Sequence, residues 1–243
     1  MILEQFRIVH CPGKLNSDAK LSGFYDDAET IKFNLSDQLS VVSVMNEACL
    51  KNSPLMKQFR ANNLNLIIPD STRNIINWKN TYKIDGIIEA LEKIKTPYTL
   101  LLDGRDVKVV GNLDESLISM FETFEADIVF NGSDGIYPSP KLDNEFGNAK
   151  LNKYKYFNFP FINAGVCIGR TDKLKEFYLE CKNWIEINNY NELERPSEQW
   201  VVRNVAANTN VKVDTDSSCL FFTYYHVYNR FKKIENKFRL EKN

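Results

Sequence analysis

Apolar residues fall along the chain in two patterns of different period. Short, nearly continuous runs, "LSVVSVM", "LNLIIP", "YTLLLDG", "ADIVFNG" and "AGVCIGR", are rich in Val, Ile and Leu and predict strands covered on both faces. Between most of them, apolar residues recur every three or four positions. In "NTYKIDGIIEALEKIK", Ile84, Ile87, Ile88, Leu91 and Ile94 share one helical face, with Asn80 or Thr81 available as the cap. "LDESLISMFETF", opened by Asn112 or Asp114, "TDKLKEFYLECKNWIEI" and "SEQWVVRNVAAN" repeat the amphipathic period.

Strand and helix alternate through roughly residues 38–131, which predicts an α/β fold with a Rossmann-like, mostly parallel central sheet flanked by helices. Ligands of such sheets collect beyond the carboxyl ends of the strands. No repeat, low-complexity tract or linker divides the chain, so residues 1–243 read as a single domain with a strand-bearing N-terminal extension over 1–37. The polar, asparagine-rich stretch from Ser139 to Phe159 has no clear period and reads as a long functional loop.

Composition narrows the class. With 243 residues, 43% of them hydrophobic, the chain can bury the core of one large domain. Its 31 Lys and Arg nearly cancel its 32 Asp and Glu, so there is no general field for nucleic acid or an acidic membrane, and any anion must be bound locally. The five cysteines, Cys11, Cys49, Cys167, Cys181 and Cys219, are scattered without a C-x-x-C pair and read as buried thiols of a reducing compartment. Neither a signal peptide nor an eighteen-residue apolar run is visible, and a cytoplasmic protein is the expectation.

The candidate chemistry begins where "YTLLL" runs into D-G-R-D. With Asp103 ending the strand and Gly104 turning the backbone, Asp106 can swing back so that both carboxylates face one point, an oxygen pair suited to Mg²⁺ or Mn²⁺. An ordinary Asp-Gly turn has the same letters. Of the two histidines, His226 in "FFTYYHVYNRFKK" can join the carboxylates as a third ligand, with Lys232 following toward a phosphate. His10, beside a Cys-Pro-Gly turn, reads as an ordinary hydrogen-bonded histidine. Lys83 lies in the first turn of its helix, where a cation opposes the macrodipole and so hints at a bound phosphate. A second acidic pair, D-T-D at Asp214 and Asp216, follows a short late strand and ranks below D-G-R-D.

In order and spacing these blocks resemble the glycosyltransferase domain of the procollagen lysyl hydroxylase and collagen glucosyltransferase type, with its microbial and viral relatives, a GT-A fold. The resemblance spans about residues 38–232. It implies a nucleotide-binding half over 38–131 and a sugar and acceptor half over 132–243. "VVSVMNE" is similar to the first nucleotide-binding strand and sets Val44 and Asn46 against the base, and "YKIDGIIEAL" brings Lys83 to the nucleotide. "LLLDGRDVKV" is similar to the family's D-x-x-D motif, so the resemblance gives Asp103 and Asp106, with His226, to Mn²⁺, and Gly104 and Arg105 to the donor. "ADIVFNGSDGIYPSP" and "FPFINAGVCIGR" resemble the stretches lining sugar and acceptor, bringing in Asp134, Gly135, Tyr137, Asn163, Ala164 and Gly165. "SEQWVVRN" resembles the acidic helix start near the reacting sugar and implies catalytic roles for Glu198 and Gln199 beside Asn163. "HVYNRFK" has the family's spacing from metal histidine to phosphate lysine, through Asn229 to Lys232. The chain departs from the pattern at Ser197, Tyr137 and Asn229, where the family has an acid, a tryptophan and a glycine.

The resemblance implies transfer of a hexose from a UDP-sugar to a hydroxyl on a protein, peptide or glycan, with retention of configuration. One rival is a nucleotidyltransferase, which would carry a glycine-rich basic loop that "VMNEACLKNS" is not. The other is a nucleotide-sugar-binding module that has lost transfer.

Overall fold

A computed structural model describes residues 7–12, 20, 23–133, 161–193, 196–216 and 219–223. Its centre is a five-stranded sheet of β2 (Leu39–Val42), β3 (Tyr98–Leu102), β6 (Phe161–Arg170), β5 (Ile128–Ser133) and β7 (Val213–Asp216), in that spatial order. β2 is parallel to β3 and β5 to β7, while β6 is antiparallel to both of its neighbours. Four strands therefore run one way and β6 alone runs back between them, the mostly parallel α/β sheet that the apolar runs predict.

The runs are continuous because both faces are covered. Val42, Leu101, Ile128, Phe130 and Cys167 turn to one side, where they meet the helices Tyr82–Lys93, Thr171–Ile187 and Glu198–Ala206. Val41, Leu100, Leu102, Val129 and Ile168 turn to the other, against the helices Pro54–Ala61 and Glu115–Glu122. In Tyr82–Lys93 the stripe Ile84, Ile87, Ile88 and Leu91 is buried, each side chain contributing about 1.5–3 kcal/mol.

Beside the second layer lies a small sheet with β1 (Ile8–His10) at its centre, between β4 (Val107–Val109) and β8 (Phe221–Thr223). β1 runs antiparallel to β4, with His10 opposite Val107, and parallel to β8. Residues 1–37 thus contribute a strand enclosed on both edges.

Local expectations are corrected in three places. "LNLIIP" forms no strand: Ile67 makes a single bridge to Val42, because its carbonyl and amide pair with Ser43 and Val41 and no longer ladder follows. Thr81 stands at the start of its helix without capping it, its hydroxyl donating instead to Asn191 Oδ1 at 2.6 Å. Of the five cysteines, Cys11, Cys167 and Cys181 are buried, Cys49 is half-buried and Cys219 is exposed; all are free thiols. The cap Asp114 accepts from the Ser116 amide at 3.1 Å, as its position predicts. Among the described residues no helix is long and apolar enough to cross a membrane. The stretch from Ser139 to Phe159 lies outside the described residues.

Candidate active site

β3 ends at Leu102, and the Asp103 amide prolongs its ladder by one bond to the Gly165 carbonyl of β6 (2.7 Å). This holds Asp103 at the carboxyl edge of the sheet. Four residues on, β4 begins, and the β1–β4 register draws the Cys11 amide onto the Asp106 carbonyl at 2.7 Å. The turn between them does not use a left-handed glycine; Gly104 is required by packing, since a Cβ there would lie 1.8 Å from Met45 Sδ. Its carbonyl accepts from Ser53 Oγ at 2.5 Å, while Arg105 is exposed.

The register places a group that the motif does not announce. His10 is 1% exposed, and its Nε2 lies 3.5 Å from Asp106 Oδ1. His10, Asp103 and Asp106 each present a ligand atom within 4.8 Å of the others. His10 Nε2 and Asp106 Oδ1 are both buried without a hydrogen-bond partner. Burial opposes charge on either group, yet the Asp106 carboxylate holds the His10 imidazole above its usual range, and the imidazole in turn holds Asp106 below the usual carboxylate range. A positive charge placed between the two atoms, proton or metal ion, is favoured there. One nitrogen and two carboxylates, two of their atoms otherwise unpaired, fit a divalent ion such as Mn²⁺ or Mg²⁺.

β6 makes room for this cluster. Phe130 pairs with Cys167 but the next residue, Asn131, pairs with Asn163, so Ala164, Gly165 and Val166 bulge away from β5. A Cβ on Gly165 would stand 2.6 Å from His10 Nε2 and 3.0 Å from Asp103 Oδ2. Only glycine lets the backbone pass there. Asn163 turns back on its own chain, its Oδ1 accepting from the Gly165 amide at 2.9 Å, and Gln199 Oε1 accepts from the Ala164 amide at 3.3 Å.

On the other side of Asp103, the helix Tyr82–Lys93 presents Lys83 to two carboxylates. Its Nζ donates to Asp103 Oδ1 and lies 3.3 Å from Glu198 Oε2. Burial works against the ammonium, but Asp103 and Glu198 hold its pKa above the ordinary lysine value. Glu198, in the first turn of its own helix and 5% exposed, is pushed up to about 7 by burial against the pull of Lys83. A cavity of about 20 Å³, room for one water, lies among Lys83, Asp103, Gly165 and Glu198, with Val44 and Ile87 on its apolar side.

The fold therefore gathers Asp103, Asp106, Lys83, Glu198, Gln199, Asn163, Ala164 and Gly165 at one edge. Val44 lines the same cavity. Asn46 has its amide engaged elsewhere: Oδ1 caps the helix Glu47–Leu50 through the Cys49 amide (3.0 Å), and Nδ2 donates to the Ile75 carbonyl (3.3 Å). Asp134, Gly135, Tyr137, His226, Asn229 and Lys232 lie outside the described residues. His10 is the member of this cluster that sequence reasoning passed over, and its flanking turn carried no signal of its destination. Asp214 and Asp216 lie on β7, where Asp216 receives the amides of Cys219, Leu220 and Phe221 at 3.1, 2.6 and 3.2 Å.

No known protein family matches the sequence, and no curated protein matches it. Among solved structures the chain is similar to mouse xyloside xylosyltransferase 1 in its apo form, at a TM-score of 0.45 and 12% identity, over 76% of this chain and 85% of that one. It is also similar to the glycosyltransferase GlyE of Streptococcus pneumoniae, at a TM-score of 0.40 and 14% identity, over 73% of this chain and 45% of that one.

Proposed function

We propose that the chain is a metal-dependent glycosyltransferase of the GT-A type, moving a hexose from a UDP-sugar to a hydroxyl on a protein, peptide or glycan. The observation that carries the reading is the convergence of Asp103 and Asp106, with a buried oxygen still unpaired, on the carboxyl edge of an α/β sheet beside Lys83 and Glu198. Asp103 and Asp106 would hold the cation, and the resemblance adds His226. When bound, the cation supplies Lewis-acid neutralisation of the diphosphate leaving group.

The remaining roles fall to this chain's own groups. Lys83, shared between Asp103 and Glu198, keeps a positive charge beside the site and stabilises negative charge as it develops. Lys232 does the same from the C-terminal segment. Glu198 is the carboxylate closest to the reacting sugar carbon, and Gln199 and Asn163, anchored on the bulged backbone of β6, hold sugar hydroxyls. Positioning and charge stabilisation suffice for this transfer, so no nucleophilic serine or cysteine is needed. Retention of configuration and a place beside the lysyl hydroxylase transferase domains follow from the resemblance of "LLLDGRDVKV", "FINAG" and "SEQWVVRN".

The test is a panel of nucleotide sugars screened by thermal shift with and without Mn²⁺, followed by hydrolysis and transfer assays on those that bind. Stabilisation by a uridine nucleotide that depends on Mn²⁺, with turnover, is the expected result. Stabilisation without turnover would leave a nucleotide-sugar-binding module, and no stabilisation by any uridine nucleotide overturns the reading.

A further inference from the structure

The carboxylate pair accounts for the oxygen ligands of a cation site, and the fold brings a nitrogen to it from the far end of the sequence. We infer that His10 Nε2 is itself a ligand of the divalent cation held by Asp103 and Asp106, which makes the N-terminal strand β1 part of the metal centre. The inference rests on the metal-dependent reading above but names a ligand which that reading does not require.

The first argument is orientation. Asn131 Nδ2 donates to the Asp216 carbonyl at 3.3 Å, which leaves Asn131 Oδ1 facing His10 Nδ1 at 3.1 Å. An acceptor at Nδ1 places the hydrogen there, so the lone pair of the neutral ring is on Nε2, aimed at the carboxylates. Metal-bound histidines are commonly fixed in this way, with the distal nitrogen donating to a carbonyl or carboxylate oxygen.

The second argument is what surrounds Nε2. It is fully buried with no hydrogen-bond partner, and so is the Asp106 oxygen 3.5 Å away. With the neutral ring these are two acceptors facing each other in the interior, an arrangement that a positive charge between them, proton or metal ion, satisfies. A Cβ at Gly165 would intrude on both Nε2 and Asp103 Oδ2, so the glycine keeps open the space these atoms share. The three donor atoms span no more than 4.8 Å, against about 3–4 Å between neighbouring ligands of an octahedral ion with bonds near 2.1 Å. A small inward closure completes the set.

The sequence holds two histidines, so a His226→Ala chain has His10 as its sole imidazole. Mn²⁺ added to that full-length variant, without nucleotide, is examined by pulsed electron paramagnetic resonance for coupling to an imidazole ¹⁴N. Coupling is the expected result and can come from His10 alone. Adding Asn131→Ala to this variant is expected to weaken Mn²⁺ binding about 10- to 100-fold, read from free Mn²⁺ in an ordinary titration. Bound Mn²⁺ without ¹⁴N coupling, or no bound Mn²⁺, overturns the inference. The functional reading is tested apart from it: transfer in the wild-type chain with no ¹⁴N coupling would sink imidazole ligation, His10 included, and leave the transferase reading, and coupling without any binding of uridine nucleotides would sink the transferase reading alone.

Discussion

Two aspartate pairs stand near the carboxyl edge of the same sheet, Asp103 with Asp106 after β3 and Asp214 with Asp216 on β7. On paper D-T-D is the closer match to a two-aspartate metal motif. In the fold, backbone donors claim it: the Asp216 carboxylate receives the successive amides of Cys219, Leu220 and Phe221, while Asp214 Oδ1 accepts from the Thr215 amide at 2.7 Å. The D-G-R-D carboxylates instead face side chains from distant elements, Lys83 and His10, and one oxygen stays unpaired in the interior. A carboxylate saturated by backbone amides is a structural brace. One met, among the described residues, by the side chains of Lys83 and His10 in a space kept open by glycine remains available for a ligand.

The difference can be broken first at Asp103. Asp103→Asn removes a charged oxygen ligand while keeping its shape, and Mn²⁺-dependent turnover should fall by about a hundredfold or more, with the circular dichroism spectrum of the folded chain preserved. Steady-state transfer assays across a Mn²⁺ titration measure it. An Asp103→Asn chain that turns over like the wild type would place the cation elsewhere.

At the other pair the expected loss is in stability. Asp216→Ala strands the amides of Cys219, Leu220 and Phe221, for a cost of about 3 kcal/mol, or roughly 6–12 °C in melting temperature for a chain of this size. Thermal and urea denaturation measure it. An unchanged melting temperature would show that these amides find other partners.

The smallest effect is a pH slope at Glu198. Its carboxyl lies at about 7 in the fold, against 4.5 when unfolded, so the folded chain holds more protons across that window. Its contribution to stability is therefore full below pH 4.5 and is lost as pH rises through about 7, with a slope of at most about 1.4 kcal/mol per pH unit. Glu198→Gln should flatten that part of the curve of melting temperature against pH. An identical slope in the variant would assign it to another group.

Much of the architecture was legible in the chain because its signals are local. The double-sided apolar runs of β2, β3, β5 and β6, and the stripe from Ile84 to Leu91, follow from side-chain period and from nothing distant. "LNLIIP" had the composition of a strand and lacked a partner of matching length, which period alone does not reveal. Lys83 could be singled out because a cation in the first turn of a helix hints at an anion, and Glu198 and Gln199 because "SEQWVVRN" resembles a family motif. His10 could not: its partners are Asn131 on β5, 121 positions away, and Asp106 in the turn before β4, and only the tertiary packing brings them together. Gly165 was legible as part of a motif, but its reason, the passage of backbone beside an imidazole and a carboxylate, belongs to the tertiary structure.

The sequence by itself determined the period of each element, the layered α/β class and the acidic residues that end or follow its strands, since these depend on propensity and on neighbours a few positions apart. Tertiary structure alone decided which of those carboxylates is spent on backbone amides and which is left to a cation. Asp216 takes amides only three to five positions further on, whereas His10 and Lys83 reach Asp106 and Asp103 through the packing of distant elements, which no local pattern specifies.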